Sequence, residues 1–504
     1  MPAQTTTTLE HFFSAFKRNI IGDRQIFDSP FGKKEIIYAD WTASGRAYRP
    51  IEDHIQKEIL PFLANTHTET TITGTLMSRA YEEAKAIVKQ HVNASDNDVL
   101  IFCGSGMTGA VNKLQRILGL RVPERVRDFC SDGLHVDEAL RPVVFVTHME
   151  HHSNQVSWLE TIATVEIIGA DDDGNVDLAC FRSLLEQFKH RKNKIAAITA
   201  CSNVTGIQTP YREIAKLIHE KKGWCFVDFA CSAPYTDIDM HPDIDMHPAE
   251  KGAHLDAIYF SPHKFLGGPG TPGVLIFNQK VYNNSIPDQP GGGTVLYSNP
   301  WKAREYVKNI EQREDGGTPP FLGAIRVALC VRLKERMGVE NILQREEEML
   351  RIIFNRFSKI ENAELLEDRI KKRLGVFSFM ITGAHYNLVV KLLNDRFGIQ
   401  TRGGCSCAGT YGHFLLDVNK TRSHEILQSI RSGDLQCKPG WIRLSVHPTM
   451  TDAEIDFIMD AIESTAFHYP EWKEDYTYDP GSNEYVFNRS KSQIHQVIPM
   501  DYVS

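Results

Sequence analysis

The sequence predicts an α/β protein, with a large domain on a mostly parallel sheet and a smaller α+β domain after it, on three observations. Between about residues 99 and 278, short β-branched or apolar runs alternate with amphipathic stretches. Most of those runs end in Gly, Ser, Asn, Asp or His, at the strand ends where open α/β sheets collect ligands. From about 320 to 468 the pattern changes to long helical runs flanking two isolated strand candidates.

The strand runs are 99–102, 143–146, 195–199, 225–228, 257–260 and 273–277. The second region opens with helical spacing at Ala324, Val327, Ala328 and Val331 and closes with it at Ile455, Ile458, Met459 and Ile462. Strand candidates 376–380 and 441–446 lie between. The chain is accordingly divided into an N-terminal extension (1–35), a large domain (36–320), a small domain (321–468) and a tail (469–504), the last read as irregular from its Tyr, Asp, Asn and Ser. The hexapeptide DIDMHP occurs twice in tandem, at 237–242 and 243–248. It is read as a loop lengthened by duplication near the site, although His241 and His247 leave a metal open.

Composition limits the functional classes. At 504 residues, 42% hydrophobic and 24% charged, the chain is long enough for two or three globular domains. A net charge of -8 gives no electrostatic reason to expect nucleic acid. No window approaches the roughly 20 apolar residues of a membrane helix, and the first residues lack a signal peptide's apolar run, so a cytoplasmic location is expected. Ten scattered cysteines are no disulfide framework.

Three segments carry chemistry. Cys103-Gly-Ser-Gly-Met-Thr-Gly-Ala-Val-Asn112 links a strand to a helix, where glycine lets backbone approach a ligand and a helix N-terminus offers N–H groups to a phosphate; alone this is a weak signal, and a tight turn without ligand explains it more readily. The nicotinamide and P-loop spacings are absent. Val227-Asp228 ends a strand, and Ser261-Pro-His263-Lys264 ends another before a glycine cluster. A pyridoxal site requires such a pair: a carboxylate that keeps the pyridine nitrogen protonated and a lysine amine that forms a Schiff base.

At these residues the sequence resembles the class V aminotransferase superfamily of fold-type I pyridoxal 5'-phosphate enzymes, in particular its cysteine desulfurase and selenocysteine lyase branch. The matching segments are Tyr38-Ala-Asp-Trp-Thr-Ala-Ser44, Gly104-Ser-Gly-Met-Thr108, Glu150-His-His-Ser-Asn154, Ser202-Asn-Val-Thr-Gly206, Val227-Asp228, Ser261-Pro-His-Lys264, Glu314-Asp-Gly-Gly-Thr-Pro319 and Arg402-Gly-Gly-Cys-Ser-Cys-Ala408. The resemblance implies a sheet of the seven-stranded type. It implies that Gly106, Met107, Thr108, Ser261 and His263 hold the cofactor phosphate, that His151 stacks on the ring, and that Asn203 lies near its hydroxyl. It also implies that Asp228 pairs with the ring nitrogen, that Lys264 carries the cofactor, and that Thr318 reaches a phosphate in the partner subunit of a homodimer. Cys231 stands where similar enzymes often carry a glutamine three residues after the aspartate.

Arg-x-Gly-x-x-Cys spacing selects Cys407 rather than Cys405 as the nucleophile of desulfurases similar to this chain, with nearby Arg402 favouring the thiolate. Arg443 matches the arginine that grips the substrate carboxylate, and Arg402 is grouped with it as substrate-binding. The expected reaction converts L-cysteine or selenocysteine to alanine, with sulfur passing through a Cys407 persulfide to an acceptor protein or thiol. An aminotransferase, epimerase or C–S lyase with Cys407 as bystander stays open, as does an idle scaffold on the same fold. No metal is expected: His148, His151 and His152, or Cys405 and Cys407 with His413 or Cys437, offer the alternative. The segment between Cys407 and Arg443 is read as a lid or a docking surface.

Overall fold

The computed structural model describes residues 8–66, 70–130, 136–242 and 247–488. Seven strands form the main sheet: β1 (Asp98–Cys103), β2 (Val143–Thr147), β3 (Thr164–Ile168), β4 (Lys194–Thr199), β5 (Trp224–Asp228), β6 (Ala257–Phe260) and β7 (Gly273–Asn278). Their spatial order is β1-β7-β6-β5-β4-β2-β3. All pairings are parallel except those of β7, which runs antiparallel to both β1 and β6. Helices on both faces leave β1, β2, β4 and β6 fully buried and β5 and β7 buried at all but one residue, which is why these strands read as continuous apolar runs. Thr199 on β4 stands beside Asp228 on β5, which stands beside Tyr259 on β6, so the chemistry-bearing strand ends lie level.

β3 was not legible. Thr-Val-Glu-Ile-Ile is an edge strand, half-exposed along most of its length, and its Glu166 breaks the apolar run. Four antiparallel strands form a second sheet in the order β8-β9-β11-β10: β8 (Ala363–Leu365), β9 (Val376–Ile381), β10 (Arg402–Gly404) and β11 (Trp441–Ser445). The helix Asp452–Trp472 backs it, entered through a capping box in which Thr451 Oγ1 accepts from Glu454 N at 3.1 Å and Glu454 Oε2 accepts from Thr451 N at 2.8 Å. One apolar cluster runs through both sheets, joining Phe102, Val227 and Ile276 to Phe377, Phe379 and Leu444.

The region expected to be an irregular tail is not one over its described part. The helix runs on through Pro470 to Trp472, and Tyr476–Asp479 pairs with Glu484–Phe487 as a hairpin. Alternating Tyr476, Tyr478, Tyr485 and Phe487 give it an aromatic face that packs on His385 and Phe31, and Asn483 in its turn donates to Tyr386 Oη. Residues 489–504 and the start of the extension, 1–7, lie outside the described residues.

A segment at residues 37–45 threads between the two sheets. Ile37–Tyr38 pairs in parallel with Ile399–Gln400, Ser445 N donates to Ala39 O, and Gly45 N donates to His263 O at 2.9 Å. A Cβ on Gly45 would lie 1.9 Å from the Phe265 carbonyl oxygen, so only glycine lets this strap reach the Lys264 turn.

Candidate active site

A cavity of about 180 Å³ opens at the carboxyl ends of β1, β4, β5 and β6. Every residue expected in the site lines it except Thr318. Thr318 is exposed and borders a different cavity with Asn112, Lys113 and Gln289.

One end of the pocket is built from the turn into the helix Gly106–Ile117. Gly106 has φ +58°, and a Cβ on it would meet Ser261 Oγ at 3.0 Å and His263 Cε1 at 3.2 Å. The close approach explains the glycine. Met107 N donates to Ser261 Oγ at 2.8 Å, tying the helix start to the loop after β6, while Thr108 Oγ1 and Ser153 Oγ share a proton at 2.7 Å. Gly106 N and Met107 N are taken up by Gly104 O and Ser261 Oγ, so what this helix end presents to the pocket is its positive dipole end and three hydroxyls, a setting that suits an anion.

The floor carries the ionisable groups. Asp228 ends β5, buried, with Oδ1 accepting from Ala230 N at 2.8 Å. Burial raises its pKa to about 6, against the pull of that hydrogen bond and of Lys264. Lys264 sits on the turn Pro262–Lys264, and burial lowers its pKa, opposed by Cys231 and Asp228. His151 caps the helix His152–Leu159, its Nδ1 accepting from Ser153 N at 3.1 Å. A backbone N–H can only donate, so the proton of the neutral ring is on Nε2. Burial, then the charge of Lys264, lowers the pKa of this ring to about 3. The ring therefore stays neutral at ordinary pH.

Behind the floor lies a carboxylate to which sequence reasoning gave no role. Glu150 accepts from Thr199 N at 2.8 Å, Thr147 Oγ1 at 2.7 Å and Asn154 Nδ2 at 2.8 Å, binding the end of β4 to that of β2. Burial raises its pKa to about 7. Cys201 and Cys231 also line the pocket, each with its sulfur 3.6 Å from the Ser202 carbonyl oxygen.

The opposite wall comes from the second sheet. Arg402 on β10 and Arg443 on β11 are register partners, two like charges side by side at the pocket. Such an arrangement is unfavourable unless an anion answers it. Asp40, on the strap, answers part: its Oδ1 accepts from Arg443 Nη2 at 2.6 Å, and Arg443 Nη1 donates to Asn203 O at 3.2 Å. Arg443 is buried while Arg402 is exposed at the mouth, and buried Arg443 Nε has no partner among the described residues. Asp40 stood in a motif segment, but only the fold shows what it faces.

Cys407 is exposed and lines the pocket, whereas Cys405 packs half-buried in a cluster with Met149 and Trp441. Ser406 and Cys407 both have left-handed backbone, φ +51° and +56°. Each such non-glycine residue costs about 1–2 kcal/mol, and four contacts hold the turn. Asn203 Nδ2 donates to Ser406 O at 2.7 Å, Trp441 Nε1 to Ser406 Oγ at 3.2 Å, His152 N to Cys407 O at 2.7 Å and Gly409 N to His152 Nε2 at 2.9 Å. Asn203, expected beside a ring hydroxyl, thus also anchors the cysteine turn. His413 spends both ring nitrogens on Gly409 O and Ser423 Oγ.

The segment after Cys407 is ordered into the helices Gly409–Leu415 and Lys420–Arg431. The first DIDMHP copy does not border the pocket: His241 Nε2 bonds Asp98 Oδ2 at 2.5 Å, at the start of β1 on the far edge of the sheet. Residues 243–246 of the second copy lie outside the described residues. Among the described residues no helix is long and apolar enough to cross a membrane.

Known proteins share the sequence and the fold of this chain. The family model "Aminotransferase class-V" matches residues 37–458. The chain is 28% identical over 391 residues to a probable cysteine desulfurase of Halalkalibacterium halodurans, covering 76% of this chain and 86% of that protein. It is 27% identical over 403 residues to a probable cysteine desulfurase of Staphylococcus aureus, covering 79% and 89%. In fold it is similar to an apo cysteine desulfurase from Thermococcus onnurineus NA1, with TM-score 0.69 and 22% identity over 90% of this chain and 97% of that one. The cysteine desulfurase CsdA of Escherichia coli gives TM-score 0.66 and 19% identity over 91% and 98%. The family model spans both sheets that wall the pocket, and the chain belongs to the class-V aminotransferase family.

Proposed function

We propose that the protein is a pyridoxal 5'-phosphate enzyme that cleaves L-cysteine, or selenocysteine, to alanine. The observation that carries this reading is the strained turn presenting Cys407 to the pocket that also holds Lys264, Asp228 and Arg443.

The residues fit the cofactor. The cradle of Gly106, Met107, Thr108, Ser261 and His263 suits its phosphate, with Thr318 of a second copy as a further donor in a homodimer. Asp228 suits a protonated ring nitrogen, since a buried carboxylate whose pKa is raised by desolvation gains most from a cation. His151 offers a neutral flat ring, Asn203 would lie near the ring hydroxyl with Cys231 in the place where similar enzymes often carry a glutamine, and Lys264 would be the covalent anchor. Bound there, the cofactor supplies an electron sink that stabilises negative charge at a substrate's Cα.

The chain's own residues do the rest. Arg443, with Arg402 at the mouth, orients the substrate carboxylate through a planar fork of donors. The Lys264 amine, its pKa lowered by burial, takes the Cα proton. Cys407 Sγ attacks the substrate sulfur as the Cβ–S bond breaks, and a proton returned to the Cβ side completes alanine. Cysteine plus the Cys407 thiol gives alanine plus a Cys407 persulfide. An acceptor protein or thiol then takes the outer sulfur. Ten free cysteines fit a reducing, cytoplasmic setting. We assign the pocket to a large domain (36–320) closed by a small one (321–468).

The test is sulfide and alanine production from L-cysteine by wild type and Cys407→Ala, with the cofactor absorbance followed in both. Turnover lost in Cys407→Ala with the absorbance intact supports the reading. Turnover that survives moves the assignment to a C–S lyase, and a cofactor band without any cysteine turnover moves it to an aminotransferase or epimerase. No band at all leaves an idle scaffold.

A further inference from the structure

We propose that the end of the main sheet opposite the pocket carries a second site, for one borderline divalent transition-metal ion, with His219, His254 and Asp256 as ligands. His219 lies in the last turn of the helix Tyr211–Glu220, and His254 and Asp256 lead into β6. One ligand atom from each falls within 4.8 Å of the others.

The proton positions favour a cation. His219 Nδ1 is 2.6 Å from the Gly252 carbonyl oxygen, which only accepts, so Nδ1 carries the hydrogen. Nε2 then points its lone pair at Asp256 Oδ2, 2.8 Å away. A lone pair and a carboxylate oxygen hold that distance only with positive charge between them. A proton shared between His219 Nε2 and Asp256 Oδ2 serves. A metal ion serves as well, and a ring fixed through one nitrogen by a carbonyl while the other faces outward is the usual support of a metal-ligating histidine.

His254 supplies the second nitrogen. Its ring lies over that of His219, centroids 4.0 Å apart and planes within 7°, and its Nε2 is 3.8 Å from Asp256 Oδ1. Among the described residues no hydrogen bond occupies either ring nitrogen of His254, so its Nε2 is available to a metal. Cofacial lone pairs run parallel, so coordination needs His254 to turn toward the carboxylate. Its side chain is 48% exposed, which leaves room for that rotation and for water ligands. His241 and Lys280 add positive charge nearby and hold the affinity down.

The carboxylate is the fixed member. Asp256 is buried, Oδ2 also accepts from Cys225 N at 2.8 Å, Asp256 N donates to Cys225 O at 2.9 Å, and its carbonyl accepts from Asn278 N at 2.8 Å. The site is therefore bolted to β5, β6 and β7 at once. Two imidazoles and a carboxylate with open positions suit Zn²⁺, Co²⁺, Ni²⁺ or Cu²⁺ and not Mg²⁺ or Ca²⁺, which take oxygen ligands. The ion would displace the shared proton and clamp the helix end to the sheet, at the far end of β5 from the pocket.

The experiment is a Co²⁺ titration of chelator-treated holoenzyme, read by visible ligand-field absorbance and proton release, for wild type, His254→Gln and His219→Gln. The expected result is one equivalent bound with release of a proton, at least tenfold weaker in both variants, with cofactor absorbance and turnover of His254→Gln unchanged. Because His254 is half-exposed, that variant tests the site even if His219→Gln fails to fold. No saturable binding to wild type, or the same affinity in wild type and His254→Gln, overturns the proposal.

Discussion

The two walls of the pocket are held in different ways. The wall on the main sheet is buried and fixed by backbone: level strand ends, Met107 N on Ser261 Oγ, Ala230 N on Asp228, Thr199 N on Glu150. The wall on the second sheet presents an exposed cysteine on a strained turn and a pair of arginines, one buried and one at the mouth. The first arrangement suits groups that must keep one geometry through a reaction. The second suits a thiol that must meet a substrate on one side and an acceptor on the other.

The sharpest way to break the comparison is to empty the fixed wall. Lys264→Ala removes both the anchor and the base, and every reaction of the enzyme should fall by at least about 10³-fold, with loss of the covalent cofactor absorbance. The comparison fails if turnover survives at a tenth of wild type. Arg443→Lys tests the other wall. Charge is kept but the planar fork toward the substrate carboxylate is lost, so kcat/KM should drop about 10- to 100-fold, mostly through KM, as expected for a charged hydrogen bond worth roughly 1.5–3 kcal/mol. An unchanged KM for cysteine would remove Arg443 from substrate binding.

The same contrast explains what could be read from the sequence. Much of the main-sheet wall was legible because Asp228 and Lys264 sit at the ends of buried apolar runs and announce themselves locally, whereas Glu150, buried behind them, gave no such signal. Six of the seven strands read as such runs, and β3 escaped because an edge strand needs no apolar continuity. The second wall depends on register and long-range contact. Nothing in residues 402 and 443 says that they are neighbours, nor that Asp40, some 400 residues away in chain, neutralises one of them. Cys407 was chosen over Cys405 by spacing, yet the reason one is exposed and the other packed lies in the contacts of Ser406 with Asn203 and Trp441. The tail was misjudged because its aromatic alternation is short and broken by a polar turn, and its packing partners, Phe31 and His385, are remote in sequence.

Gly106→Ala sharpens the picture at the phosphate cradle. The new Cβ would stand 3.0 Å from Ser261 Oγ on left-handed backbone. A cost of about 1–2 kcal/mol should weaken cofactor binding roughly tenfold, and excess cofactor in a titration should restore activity. If added cofactor does not restore it, the turn does more than hold phosphate.

The smallest expected effect is at His151. Its ring pKa in the fold is about 3 against 6.5 for an ordinary histidine. Above pH 6.5 the ring is neutral in both folded and unfolded chains and stability does not depend on its titration. As pH falls from 6.5 toward 3, the unfolded chain binds a proton that the folded one refuses, so stability is lost at up to about 1.4 kcal/mol per pH unit. His151→Phe keeps a flat neutral ring and removes that proton site. Its turnover should fall only a few-fold, and its urea midpoint relative to wild type should rise between pH 7 and pH 5. An equal difference at both pH values would mean that His151 is already free to take up a proton, and that the fixed wall is less closed to water than its hydrogen bonds indicate.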